Sequence, residues 1–244
     1  MDHPLRTLFA EQYAPITSQI GYVEYPFEDT VELLAGWIRG LGRSVEVTDV
    51  SSDGFPYAFH RLEPLTIPGH PRELLVEMGT WTAYFDNGLY GPDPTGPVGV
   101  MCRIAQVRGL MIGTVPEFGR RMGAAKWELF APHPTAFLNY QRTIAVVHDS
   151  SRWVFEAFGE PQPFEDLERY RARRVRDRFD SHLVEAYSRA IGLDVFDPAA
   201  YGPRIAVVES HHPDVAPARL IVKSLYEVQA DLGIMPGRAE QLPG

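Results

Sequence analysis

Two short stretches hold most of the residue types that bind metals or move protons. Glu209-Ser210-His211-His212-Pro213-Asp214 follows a β-branched run, and its imidazoles and carboxylates are donors that suit a borderline divalent cation. Glu209, His211, His212 and Asp214 are therefore the candidate metal ligands. His148 and Asp149 end a second such run and form the candidate catalytic pair at a strand end. Adjacent histidines point apart on a strand and converge only in a loop. Of the eight histidines, His3, His70, His133 and His212 precede proline, which holds the backbone extended and marks ordinary loop positions. No metal or cofactor is expected.

Other residue types give weaker patterns. Asp86, Asp93, Glu128 and Asp149 all fall near strand ends, where paired carboxylates can do acid–base work, and the sequence selects none of them. Cys102 is in phase with Val100 and Ile104 on an alternating run, which reads as a buried thiol and not as an exposed, electropositive nucleophile. Six arginines crowd Arg169 to Arg178. A nucleic-acid helix needs such charge unopposed, and Glu165, Asp166, Glu168, Asp177 and Asp180 lie within pairing distance in sequence. From Trp81 to Tyr90 aromatics occupy both faces of one strand. Trp81, Tyr84 and Tyr90, with Asp93 in the Pro/Gly-rich loop that follows, are the candidate partner-binding residues.

Signatures of the common catalytic families are missing: no Gly-x-Ser-x-Gly, Walker loop, His-Glu-x-x-His or Cys-x-x-Cys occurs. Gly40-Leu41-Gly42-Arg43-Ser44-Val45 begins like a dinucleotide-binding turn. It ends in Val45 where a third glycine is needed and follows a helix instead of a strand.

The elements that must position these groups follow from hydrophobic period. Leu33, Leu34, Trp37, Ile38 and Leu41 recur at helical spacing after Pro26-Phe27-Glu28-Asp29, so a helix spans Pro26 to Gly42. From Ser44 to Phe158 the period is two, giving strands around Val45 and Val47, at 73–78, 81–85, 98–104, 110–115, 126–129, 142–147 and 152–158. Short turns such as Asp86-Asn87-Gly88 join them, which argues for a meander-like antiparallel sheet. A second Pro-Phe-Glu-Asp, at 163–166, opens a long helical region to Gly192 with Val175, Phe179, Leu183, Tyr187 and Ile191 in one row. A strand at 205–208 and a helix at 218–232 complete one α+β domain over residues 1–234, a central mainly antiparallel sheet with an N-terminal helix and C-terminal helices packed on it. Residues 235–244 read as a frayed tail.

An apolar fraction of 45% excludes a disordered chain, and no apolar run approaches a membrane span. With one cysteine and no exported-type N-terminus, a cytoplasmic location is expected. The net charge of −9 is uneven: residues 1–60 carry nine acids against three arginines, and residues 61–192 carry sixteen of each sign. Such a balance disfavours nucleic acid and anionic lipid and favours a basic protein partner. The leading expectation is a non-catalytic interaction protein, for instance a neutralising immunity-type protein, acting through an acidic surface. The alternative is a small-molecule enzyme with a His/Asp/Glu site at strand ends, with or without the assistance of a metal, and a pocket lined by Trp81, Tyr84 and Trp153.

Overall fold

The computed structural model describes residues 5–69, 71–117, 122–211 and 220–234, so His212, Asp214 and the tail from residue 235 lie outside the described residues. In chain order the elements are β1 (Gln19–Val23), α1 (Phe27–Gly40), β2 (Ser44–Asp49), β3 (Leu65–Ile67), β4 (Arg72–Met78), β5 (Trp81–Asp86), α2 (Thr95–Ala105), β6 (Gly109–Val115), β7 (Ala124–Phe130), β8 (Tyr140–Asp149), β9 (Arg152–Gly159), α3 (Ser181–Ala190), β10 (Ile205–His211), β11 (Ile221–Lys223) and α4 (Leu225–Leu232). Nine strands form one sheet in the order β2-β10-β4-β5-β1-β6-β7-β8-β9, every pairing antiparallel, and β3 and β11 form a separate ribbon. The fold is α+β as expected. The meander, however, runs only through β6 to β9, because β1 inserts between β5 and β6 and β10 between β2 and β4.

Strand alternation divides the apolar side chains between two cores. One face carries Trp81, Phe85, Ile112, Trp127, Ile144 and Val207 and is covered by α3, α4 and the long connections. The other carries Leu75, Tyr84, Met111, Phe130 and Val208 beneath α1 and α2. Among the described residues no helix is long and apolar enough to cross a membrane.

Residues 98–104 are a correction. They belong to α2 and not to a strand, because Val98, Met101 and Cys102, at helical spacing, are the side chains that the fold buries. The helix can lie on the sheet because β1 and β6 carry glycines beneath it. A Cβ on Gly21 would strike Val98, and one on Gly109 would strike Cys102. Cys102 is buried as read from the sequence, and burial pushes its thiol pKa up to about 12, which keeps it protonated.

The region 163–192 is a second correction. Only 181–190 is α-helix; before it come two single 3-10 turns, Arg169–Arg171 and Val175–Asp177. The Asp180 carboxylate starts α3 afresh by accepting from His182 N and Leu183 N at 3.0 and 3.1 Å, the usual N-cap arrangement. Glu165, placed to open a helix, is instead the buried partner of Arg142. Two bonds of 2.8 and 2.6 Å join their fork to the carboxylate, and Tyr170 Oη and Gln162 N donate to the same group. Arg142 also donates to Phe158 O and Gly159 O. The expected helix over 218–232 likewise divides, into β11 and α4, and α4 opens with a Ser224–Glu227 capping box.

Arg142→Met would strand the Glu165 carboxylate, whose side chain is 0% exposed. Unfolding free energy from urea titration is expected to fall by about 3–5 kcal/mol, the cost of an uncompensated buried charge. Replacing both residues, Arg142→Met with Glu165→Leu, should recover a good part of it. A loss within error of zero for the single variant would mean that the pair does not hold this segment.

Candidate functional site

Three places in the structure gather chemically capable side chains. The first is a buried polar row on the α1/α2 face. Glu73 of β4 is the register partner of Asp86 of β5, and they are 3% and 0% exposed. Burial, reinforced by the Asp86 charge and opposed by Arg43, pushes the Glu73 carboxyl up to about 8. Burial, with the charges of Asp86, Glu73 and Asp93 behind it, raises the Tyr84 hydroxyl well above its ordinary value. Further along, Glu128 is also raised by burial, and Tyr140, which hydrogen-bonds it, is pushed up to about 12. Of the four carboxylates read from the sequence, Asp86 is tied to the loop that carries Asp93, and the Asp93 charge acts on Glu128, but Asp86 and Glu128 lie on strands three places apart in the sheet, and Asp149 is on neither. Asp86 also has a visible local task. It accepts from Gly88 N at 2.9 Å and Asp93 N at 3.0 Å, which closes the loop from β5 to α2.

The second place is the acidic edge. Among the described residues β2 pairs only with β10, and of its residues only Val45 is partly covered. Val50 N donates to Ile205 O, and alternation along an antiparallel ladder then turns Glu46 and Thr48 toward β10. The backbone groups of Val45, Val47 and Asp49 face outward. Helix α1 packs alongside, and exposed Asp29, Glu32 and Glu46 take part in no ion pair among the described residues.

The third is an open groove of about 760 Å³ at the opposite edge, lined by Arg152, Trp153, Val154, Arg174, Val175 and Arg176. Trp153 packs on His148 with ring centroids 5.3 Å apart, and His148 Nδ1 lies 3.2 Å from Glu117 Oε1.

The remaining sequence-derived candidates are dispersed. Asp149 is exposed at the β8–β9 turn, and Glu209 pairs with Arg72 at 3.2 Å with His211 Nε2 4.0 Å away. Five strands separate β8 from β10, so His148 and Asp149 stand roughly 29 Å from Glu209 and His211 at about 4.8 Å per strand. Among the described residues no group of three or more His, Cys, Asp or Glu is placed to hold a metal ion. Trp81 and Tyr84 are buried on opposite faces of β5 and share no pocket with Trp153. Tyr90 is 71% exposed near Lys223, and Asp93 is exposed in the adjoining loop.

The arginine run does not form one charged face. Arg169 pairs with Asp180 and Arg171 with Glu168, whereas Arg178 lies over the Phe155 ring. The sequence missed the groove because its two walls are separated by some twenty residues and form no pattern in either segment alone. No protein-family model matches the chain, and no curated protein or solved structure matches it.

The row on the α1/α2 face has a measurable consequence. The unfolded Glu73 carboxyl loses its proton near 4.5, and the folded one holds it until about 8. The stability this gives is complete below pH 4.5 and drains away as pH climbs to about 8, by up to about 1.4 kcal/mol per pH unit for one proton. In Glu73→Gln, unfolding free energies measured between pH 5 and 8 should lose that slope. An unchanged slope would assign the proton elsewhere.

Proposed function

We propose that this chain is a non-catalytic protein-binding module that takes a basic, extended segment of a partner protein along the free edge of β2. The observation that carries the reading is the combination of outward-facing backbone groups at Val45, Val47 and Asp49 with exposed acids that make no ion pair among the described residues. An added strand gains main-chain hydrogen bonds from such an edge, and side chains at alternate positions supply specificity. Val47, 41% exposed, offers an apolar contact between Val45 and Asp49.

Charge supports the same choice of partner. The first sixty residues hold a six-charge acidic excess, nine minus three, and this part of the chain supplies both α1 and β2. Acidic groups bordering an edge steer a cationic segment toward it and repel acidic ones. They also keep two copies from pairing β2 to β2, because like charges would face each other.

The test uses a capped peptide of alternating lysine and valine. Binding followed by amide hydrogen exchange should protect Val45, Val47 and Asp49 and should weaken as salt rises. Val47→Pro removes one outward N–H and leaves the β10 ladder intact, so affinity should drop at least tenfold without loss of fold. Thr48→Pro, which removes a ladder bond, should instead loosen β2 itself. Equal affinity of Val47→Pro and the parent chain would sink strand addition at this edge.

A further inference from the structure

The groove beside β9 carries exposed charge of the opposite sign to that around β2. Its lining includes three consecutive residues of one strand, Arg152, Trp153 and Val154. Successive side chains point to opposite faces of a sheet, so a hollow that touches all three must wrap the strand's outer edge. His148 N donates to Gly123 O across the β7–β8 ladder. Alternation then bonds Val154 and Glu156 to β8 and turns the N–H and C=O groups of Trp153, Phe155 and Ala157 outward. Among the described residues no backbone hydrogen bond reaches those groups.

The opposite wall is the turn that carries Arg174 and Arg176. Exposed Arg152 and Arg174 make no ion pair among the described residues, although the chain as a whole is acidic. A guanidinium fork is matched to a carboxylate by two parallel hydrogen bonds. Trp153, half-buried and braced by the His148 ring, gives a flat apolar floor between them. Positive charge on both walls, an apolar floor and a free strand edge together describe the complement of an extended acidic chain. A compact small molecule would find too little enclosure in a groove this open.

We infer that the β9 edge binds an acidic peptide segment in extended conformation, its backbone paired with Trp153 to Ala157 and its carboxylates held by Arg152 and Arg174. This surface is independent of the β2 edge, and failure of either assignment leaves the other standing. The occupant differs from the one at β2 in the sign of its charge.

The experiment titrates the full chain with a capped peptide of alternating glutamate and valine, read by tryptophan emission with Trp153→Phe as the blank. Binding is expected, with affinity falling as salt is raised from 50 to 500 mM. Arg152→Glu with Arg174→Glu should weaken it at least tenfold, and Ala157→Pro, which deletes an outward N–H, should also weaken it. Val47→Pro at the far edge should leave it unchanged. No binding, equal binding by the double charge reversal, or loss of binding in Val47→Pro would each overturn the assignment. So would tighter binding of a single-stranded oligonucleotide that competes with the peptide, since the groove would then be a phosphate-backbone site.

Discussion

An open sheet has to end twice, and the exposed charged groups described above are distributed around that constraint. Each interior strand here satisfies its backbone with two neighbours, but β2 and β9 have only one. Their outward N–H and C=O groups are hydrogen-bonding capacity already aligned for another strand. Natural sheets protect such edges with charge, bulges or covering segments. Acids border one edge of this sheet and, at the other, arginines lie on a turn alongside; in the proposed reading the charges that discourage wrong pairing also define which strand is right.

The basic edge depends on a distant buried ion pair. Arg142 sits near the start of β8 and fixes Glu165 at the beginning of the irregular segment, while Tyr170 and Tyr187 extend the network toward α3 through a 3.2 Å hydroxyl contact. Trp127 Nε1 donates to Ser188 Oγ from the sheet side. The turn bearing Arg174 and Arg176 is therefore hung between two anchored points, Glu165 and the Asp180 cap. Arg178, over Phe155, holds the turn against β9. A continuous helix across 163–192 would have carried the arginines away from the strand on successive faces of a rod.

That helix was the natural reading of the sequence, and the reason it fails is instructive. The row from Val175 to Ile191 is real at Leu183 and Tyr187, but helical period alone does not distinguish one long helix from a short one preceded by turns. What decides the matter is tertiary: Asp166 N donates to Tyr187 Oη and Glu165 turns inward to Arg142, and no local pattern reports either contact. The strands fared better because alternation is a direct image of a sheet with two unlike faces. Expected runs such as 73–78 and 152–158 lie within a residue or two of β4 and β9. Alternation misled only at 98–104, where Gly99 between valines imitated a strand and the deciding glycines, Gly21 and Gly109, lay on other elements. The candidate residues show the same division: types and local turns were legible, but which of them share a face depends on strand order.

The buried carboxylates illustrate how strand order can also separate the ability to do chemistry from the opportunity. Glu73 has a shifted proton affinity of the kind that marks catalytic groups, and a close pair of acids such as Glu73 and Asp86 is a familiar acid–base device. Yet both are covered by α1, α2 and the loop that Asp86 itself closes, with Asp86 0% exposed. Asp86 holds Gly88 and Asp93 in place, and that loop turns the Tyr90 ring outward. The shifted proton on Glu73 is then the consequence of seating the loop's anchor beside a second acid in a dry interior. Its influence is felt in stability against pH, while in the proposed reading recognition belongs to the exposed edges on either side.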